Sequence, residues 1–295
     1  MPRHRPLMPY LATLLGVALY SVMDAQMKGA SLAIGAYSAL LCRGIVGVAV
    51  VAPLWALTGG KWPAWPILRL HLLRGVVSAG MALTFFFGLT RLPMAEGIAI
   101  SFFAPLIALF LAALMLGETI QRGAIFASLL GLAGVAVIGG GRMQASIPGD
   151  GAALGIASVL VSALLYAWNL ILQRRQSQLA GPLEVALFMN GVVALLLLPA
   201  APFVAQWPET AEVGGRIVAS ALLAIIAVML FSWGYARAEA QALVPLEYSA
   251  FIWAALMGWL MFGERLTLPT LAGTALVIAA CWIAAPRKRT EQTSV

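Results

Sequence analysis

The chain has 295 residues, of which 62% are hydrophobic and only 10% are charged, and its mean hydropathy is +0.96. These values lie far outside the range of water-soluble domains and indicate a protein that is embedded in a lipid bilayer along most of its length. The formal net charge of +7 comes mainly from tails and short loops, so it indicates membrane orientation and not nucleic-acid binding.

Ten apolar segments are long enough to cross the membrane, since a spanning helix needs about 20 residues. In chain order they lie near 8–29, 33–57, 69–91, 94–117, 121–140, 151–174, 180–204, 216–237, 241–263 and 267–285. The loops between them are short, so the sequence predicts no separate soluble domain. No cleavage site follows the first segment, which we interpret as a spanning helix and not as a signal peptide.

The chain contains two copies of one five-helix unit. An odd number of helices per copy inverts the second copy, an arrangement typical of carriers. The sequence therefore predicts an all-α polytopic membrane protein of ten transmembrane helices in two inverted repeats, 8–140 and 151–285, with a connector at 141–150 and a cytoplasmic tail at 286–295. Like residues pair, without any gap, when the sequence is shifted by 146 positions: Tyr20 with Tyr166, Lys28 with Arg174, Gly88 with Gly234, and Gly117-Glu118 with Gly263-Glu264.

Basic side chains are distributed unevenly between the two sets of alternate loops. The side that holds both termini carries most of them, with Lys61, Arg69 and Arg74 counted in its second loop. The opposite side is expected to hold fewer, among them Lys28 and Arg91. By the positive-inside rule, this predicts a multi-pass protein of the bacterial inner membrane with both termini in the cytoplasm.

Asp24 is the first candidate functional residue, because an ionisable side chain at membrane depth usually faces the interior of the bundle. Tyr20, Asp24 and Lys28 are spaced at intervals of four and share one face of the first helix. The Asp24 carboxylate is a candidate to bind a substrate amine or a proton. The alternative is a structural ion pair with Lys28 or Arg43.

Arg43, Glu96 and Glu247 are further candidates for coupling or gating. Arg43 lies inside the second span and needs a partner, for which Asp24 and Glu96 are the candidates, and it either tethers the helices or contacts a substrate carboxylate. Glu96 is either a gating residue or an interfacial one. Glu247 follows Pro245, and a proline can break a helix and leave carbonyl groups free to bind a ligand. Pro105 could break a helix of the first repeat in the same way. For Glu247 the alternative is a cap at the start of the helix.

Aromatic and amide side chains provide candidates for a substrate pocket. If they face inward, they form flat apolar walls that suit aromatic side chains and cationic amphiphiles. Contact with lipid is the alternative for each aromatic ring. The candidates, besides Tyr20 and Asp24, are Phe85, Phe103, Tyr166, Trp168, Asn169, Trp233, Tyr235 and Tyr248.

Motifs for catalysis and for phosphate binding are absent from the sequence. It has no His-Glu-x-x-His, no Gly-x-Ser-x-Gly and no Gly-Lys-Ser/Thr loop. We therefore expect no enzyme activity, no cofactor, no metal, and no ATP-driven transport by this chain. A proton gradient or the gradient of the substrate remains as the driving force.

The chain resembles the drug/metabolite transporter superfamily, and within it the ten-helix EamA branch. The resemblance implies a central cavity lined by helices one, three, four, six, eight and nine, and its YddG-like subgroup exports aromatic amino acids. The second repeat departs from the pattern at two positions. Met189 replaces the arginine found at Arg43 in the first repeat, and Glu247 has Ser101 as its counterpart in the first repeat. The resemblance rests on Met94-Ala95-Glu96, Pro105-Leu106, Leu116-Gly117-Glu118, Gly131 to Val135, Gly263-Glu264-Arg265 and Leu41-Cys42-Arg43-Gly44.

The sequence thus favours a secondary transporter that moves amino acids, aromatic or apolar ones included, or related small metabolites outward by alternating access. The expected partners are a small-molecule substrate, the lipid bilayer and protons, and both a monomer and a homodimer stay open. A broad-specificity exporter of drugs or amphipathic cations is the alternative within transport. An intramembrane enzyme and a passive channel or scaffold are the remaining alternatives.

Overall fold

The computed structural model describes residues 7–107, 110–111, 122–145, 151–235, 237, 243 and 246–284. These residues form helices and connecting turns, with no strand among them. Six helices are apolar and long enough to cross a membrane, and shorter apolar helices cover Met94–Ile107, Ala250–Phe262 and Leu268–Ile283. The helices are α1 (Met8–Leu57), α2 (Trp65–Leu89), α3 (Met94–Ser101), α4 (Arg122–Ala145), α5 (Ala152–Ser177), α6 (Pro182–Leu197), α7 (Ala201–Val204), α8 (Ala211–Tyr235), α9 (Ala250–Phe262) and α10 (Leu268–Ala284).

The first two expected spans are joined without a loop in α1. The predicted interruption between 29 and 33 is present as a sharp bend a few residues later. A straight helix of 50 residues would be about 75 Å long, more than twice the hydrocarbon thickness. The break lies at Gly35, whose φ of 78° and ψ of 151° are accessible to glycine at little cost. The two halves then run side by side, because Arg43 Nη1 lies 3.4 Å from Met23 Sδ across the bend.

Two helix breaks occupy the same place in the two sequence repeats. α3 ends at Ser101, residues 102–103 form a turn, and helix resumes at residue 104. Pro105 explains this break, because its ring clashes with the carbonyl group four residues earlier. The turn at 248–249, just before α9, lies 146 positions later. The rings of Phe102 and Tyr248, one from each turn, meet edge to face with their centroids 5.3 Å apart.

Close helix packing also repeats with the shift of 146 residues. α2 packs against α5, and the first half of α1 packs against α8. A Cβ atom on Gly88 would lie 2.9 Å from the carbonyl oxygen of Gly155. A Cβ atom on Gly234 would lie 3.2 Å from the carbonyl oxygen of Pro9, which is the position equivalent to Gly155. Small residues allow these backbones to approach closely in lipid.

The fifth and last predicted spans, α4 and α10, pack against each other within one chain. A Cβ atom on Gly134 would lie 2.6 Å from the carbonyl oxygen of Gly273, and one on Gly273 would lie 2.5 Å from that of Gly134. The contact is between backbones, so neither side can yield by rotating a side chain. The small residues of these two helices therefore serve packing within the monomer.

We expect Gly134→Ala to destabilise the bundle by about 1–3 kcal/mol, because the added methyl group overlaps the backbone of α10. Gly140→Ala in the same helix is the matched control, since nothing lies within 4 Å of its Cβ position. Thermal unfolding of the purified variants in detergent measures the effect. Equal melting temperatures for the two variants would contradict the close approach.

Candidate functional site

Asp24 and Arg43 lie in the two halves of α1 and face each other inside the bundle. The two charges interact electrostatically, as one of the sequence hypotheses expected. Arg43 contacts Met23 Sδ and lies over the Phe86 ring, 5.9 Å from its centroid. Asp24 is half-buried and its carboxylate makes no hydrogen bond to any described residue.

Tyr20 and Tyr166, which are equivalent in the two repeats, lie close to this pair of charges. Both tyrosines are half-buried, and both interact electrostatically with Asp24, Arg74 and Glu247. The Tyr20 ring also packs on Phe231, with centroids 5.5 Å apart. Residues from α1, α2, α5 and the segment before α9 therefore converge on one polar region, which we call the central site: Tyr20, Asp24, Arg43, Arg74, Tyr166 and Glu247.

Arg74 is a member of the central site that was expected in a loop. It lies instead in the third turn of α2 and is only 8% exposed. Its Nε donates to Asn169 Oδ1 at 3.1 Å, its Nη2 donates to Gln173 Oε1 at 3.2 Å, and its Nη1 donates to Gln176 Oε1. Ser78 Oγ adds a second donor to Asn169 Oδ1 at 3.1 Å. Asn169 therefore holds Arg74 between α2 and α5.

The same network continues through His71, which was not among the candidates predicted from the sequence. His71 is buried and stacks on Phe188, with centroids 4.7 Å apart and planes 13° from parallel. One ring nitrogen meets Gln176 Nε2, and the other lies 2.9 Å from Glu184 Oε1. The network ties α2 to α5 and α6. The four-residue spacing of Gln173 from Asn169 and the three-residue spacing of Arg74 from His71 were the sequence signals for it.

A second polar cluster closes one end of the bundle, and it contains Glu96. Lys28, which was counted with the loop charges, is buried within α1. It donates to the Leu92 carbonyl at 2.7 Å and forms an ion pair with Glu264. The other Glu264 oxygen accepts the Met94 N–H at 2.7 Å, at the start of α3. Glu264 therefore docks on the first repeat. Lys28 is the partner of Glu264 and not of Asp24.

Glu96 belongs to this end cluster and not to Arg43, which corrects one of the two expected pairings. Glu96 is only 3% exposed, so it is enclosed by protein at this end of the bundle. Glu96 Oε1 accepts a hydrogen bond from Thr270 Oγ1 at 3.1 Å, and Oε2 lies 4.0 Å from Arg142 Nε. The cluster thereby joins α3 to α4 and α10.

Trp168 and Trp233 do not join the central site, which corrects the expectation that they line the pocket. Trp168 is 43% exposed and continues an exposed apolar stripe on α5. Trp233 is 40% exposed, continues a similar stripe on α8, and has the Arg237 guanidinium 4.4 Å from its ring centroid. Exposed apolar residues repeated at three- and four-residue spacing are typical of a lipid-facing surface. The stripes are Leu154, Val161, Leu164 and Trp168 on α5, and Val218, Leu222, Ile226, Met229 and Trp233 on α8.

The remaining candidate residues lie in different parts of the structure or outside the described residues. Phe85 is half-buried where three apolar clusters meet and contacts Phe86. Phe103 packs toward α4, 3.3 Å from a Cβ position on Gly131, and Tyr248 packs on Phe102 at the helix breaks. Pro105 is exposed at its break. Pro245 and the side chain of Tyr235 lie outside the described residues.

Comparison with known proteins gives the family. The profile of the EamA-like transporter family matches residues 7–140 and, a second time, residues 153–285. The chain belongs to this family. It is 25% identical over 275 residues to the pseudopaline exporter CntI of Pseudomonas aeruginosa, covering 92% of this chain and 93% of that protein.

A further relative agrees with a transport role for this EamA-like chain. It is 25% identical over 212 residues to an uncharacterized transporter of Helicobacter pylori, covering 70% of each chain. A solved crystal structure matches with a TM-score of 0.63 at 20% identity and covers 94% of this chain and 96% of its own. That likeness supports the fold alone. The family and its relatives make the chain a multi-pass membrane transporter and fit the expectation that it is not an enzyme.

We expect Lys28→Met to destabilise the protein by about 3 kcal/mol or more, because Glu264 is left as an uncompensated buried charge. The double variant Lys28→Met/Glu264→Gln should recover most of that loss. The glutamine removes the charge and keeps an acceptor for the Met94 N–H. Thermal unfolding in detergent measures both, and a double variant less stable than the single one would exclude this pairing.

Proposed function

We propose that this EamA-like protein is a secondary transporter that moves amino acids, aromatic or apolar ones included, or related small metabolites across the bacterial inner membrane. The central site carries the proposal. It brings opposite charges and two tyrosine hydroxyl groups together inside an apolar bundle. A zwitterionic substrate carries one charge of each sign and could interact with both kinds of charge there. The Asp24 carboxylate, which has no hydrogen bond to a described residue, is the group we assign to a substrate amine or to a coupling proton.

Alternating access around this site is supported by the repeated features of the fold. The family profile matches the chain twice, and the packing of Gly88 on α5 has its counterpart in the packing of Gly234 on α1. Carriers often place the substrate where interrupted helices of two inverted repeats meet near the middle of the membrane. The contact between Phe102 and Tyr248 joins two such interruptions. We therefore infer ten spans in two inverted repeats that rock about this contact.

Outward transport is supported by the name of the Pseudomonas relative, which is an exporter. The positive-inside rule supports cytoplasmic termini even after Lys28 and Arg74 are removed from the loop count, since each side loses one residue. In this orientation the Lys28–Glu264 ion pair closes the end of the bundle away from the termini. The substrate would then enter the central site from the cytoplasm. Lipid and protons complete the proposed partners, and the monomer and the homodimer remain alternatives.

A broad exporter of amphipathic cations is the second candidate. It is favoured by the ring contact of Tyr20 with Phe231 beside the Asp24 carboxylate, since aromatic faces and one carboxylate suit an organic cation. Such a substrate needs no anion-binding group. The two candidate functions therefore differ in whether the substrate carries a carboxylate group.

Counterflow in proteoliposomes tests the proposal. Vesicles loaded with unlabelled phenylalanine, tryptophan, methionine or threonine should accumulate the labelled form of the same amino acid, with saturation. Protein-free vesicles are the control. Saturable uptake of a labelled cationic dye with no amino-acid exchange would replace the proposal by the second candidate. Non-saturable flux of all solutes would indicate a channel.

We expect Asp24→Asn to slow counterflow by roughly tenfold or more, because the amide removes the charge that binds an amine or a proton while it keeps the size of the side chain. Glu212→Gln is the matched control, since Glu212 lies at the exposed start of α8. The control should exchange substrate at the wild-type rate. Wild-type counterflow in the Asp24→Asn variant would remove the Asp24 charge from the transport cycle.

A further inference from the structure

Arg74 carries a positive charge that no described carboxylate neutralises. Its three hydrogen bonds to described side chains all end on neutral amide oxygens, those of Asn169, Gln173 and Gln176. The nearest acidic side chain in the same network is Glu184, which is separated from Arg74 by Gln176 and His71. Burying a guanidinium in a membrane without a counter-charge costs free energy, and a charged residue buried in this way is therefore expected to have a function.

The amide oxygens also fix the guanidinium in place and leave two of its N–H groups without a partner among the described residues. A guanidinium has five N–H donors, and the three amide oxygens occupy three of them. One N–H remains on each of the two Nη nitrogens. A pair of N–H donors on one planar guanidinium suits the two oxygens of a carboxylate, which it can bind in a bidentate manner.

Arg74 is also part of the central site and does not lie in a separate part of the bundle. Tyr20 and Tyr166 both interact electrostatically with Arg74 and with Asp24. Asp24 in turn interacts with Arg43, so within the central site the charge of Asp24 already has an opposite neighbour. Arg74 itself interacts electrostatically with the two tyrosines and with no described carboxylate, so it is the cation of the central site that still needs an anion.

We propose that Arg74, held by Asn169, Gln173 and Gln176, is the subsite that binds a carboxylate group of the transported substrate. This rests on the proposed transport function and narrows its cargo to molecules that carry a carboxylate. The substrate supplies the missing counter-charge when it is bound. The empty carrier keeps Arg74 in position through neutral groups, which do not compete with the substrate as an acidic side chain would.

Asn169→Asp is the decisive variant, because it adds a carboxylate to Arg74 with almost no change of shape. The introduced carboxylate would keep the acceptor for Arg74 Nε and for Ser78 Oγ. If Arg74 only tethers α2 to α5, the stronger charge-assisted bond leaves substrate preference unchanged. If Arg74 binds the substrate carboxylate, the variant neutralises the subsite and selectively weakens carboxylate-bearing substrates.

The experiment compares phenylalanine, phenethylamine and 3-phenylpropionate as competitors of labelled amino-acid counterflow in proteoliposomes. The three share one ring and differ only in the carboxylate and the amine. In the wild type, phenethylamine should compete roughly tenfold or more weakly than phenylalanine, and Asn169→Asp should abolish this preference. Equal competition by phenethylamine in the wild type, or a preference unchanged in Asn169→Asp, would overturn the Arg74 subsite while leaving amino-acid transport intact.

Gln206→Glu is the matched control, since it makes the same change of amide to carboxylate at an exposed position. It should keep the wild-type preference. A second measurement does not depend on transport: 3-phenylpropionate should raise the melting temperature of the wild type in detergent and not that of Asn169→Asp. No stabilisation of the wild type by 3-phenylpropionate, phenylalanine, methionine or threonine would overturn the subsite. Absence of all counterflow, with this stabilisation present, would instead overturn the transport function.

Discussion

The cost of burying ionisable side chains in a lipid bilayer is the constraint on which the rest of this structure depends. Lipid supplies neither water nor counter-charges, so each buried charge must be satisfied by another helix or by a ligand. The chain meets this requirement in two ways. At one end Lys28 pairs with Glu264 and joins the two sequence repeats. In the middle, Arg74 is held by neutral amide oxygens, and Asp24 faces Arg43 without a hydrogen bond to a described residue, so a substrate can bind to these charged groups.

The scaffold follows the sequence repeat, but the central site does not. The tyrosines at 20 and 166 are equivalent, and so are the two helix breaks with their contact between Phe102 and Tyr248. The charges have no such counterparts. The position equivalent to Arg74 is Ser220, whose hydroxyl group donates to the Ile217 carbonyl of its own helix. A symmetric frame with an asymmetric lining allows two nearly equal halves to move while the substrate is held in one orientation.

The sequence predicted the helical membrane architecture because span length, apolar composition and proline position are local properties. The break near Pro105 follows from a ring that clashes with the preceding turn, and the family assignment was confirmed by the profile match. The direction in which a side chain faces depends on neighbours that are distant in the sequence. For that reason Trp168 and Trp233 were wrongly expected in the pocket, and Arg74 and Lys28 were counted with the loop charges. Both basic residues are buried because their partners, Asn169 and Glu264, come from the other repeat.

The most direct test of this account asks whether the central site opens to one side of the membrane at a time. A Tyr20→Cys variant, with Cys42 and Cys281 replaced by serine, would be labelled by a membrane-impermeant thiol reagent added to either face. The account predicts labelling from both faces. Cross-linking Lys28→Cys to Glu264→Cys in that background should then abolish labelling from one face and preserve it from the other. Labelling that persists from both faces after cross-linking, or that never occurs from one of them, would contradict alternating access around the central site.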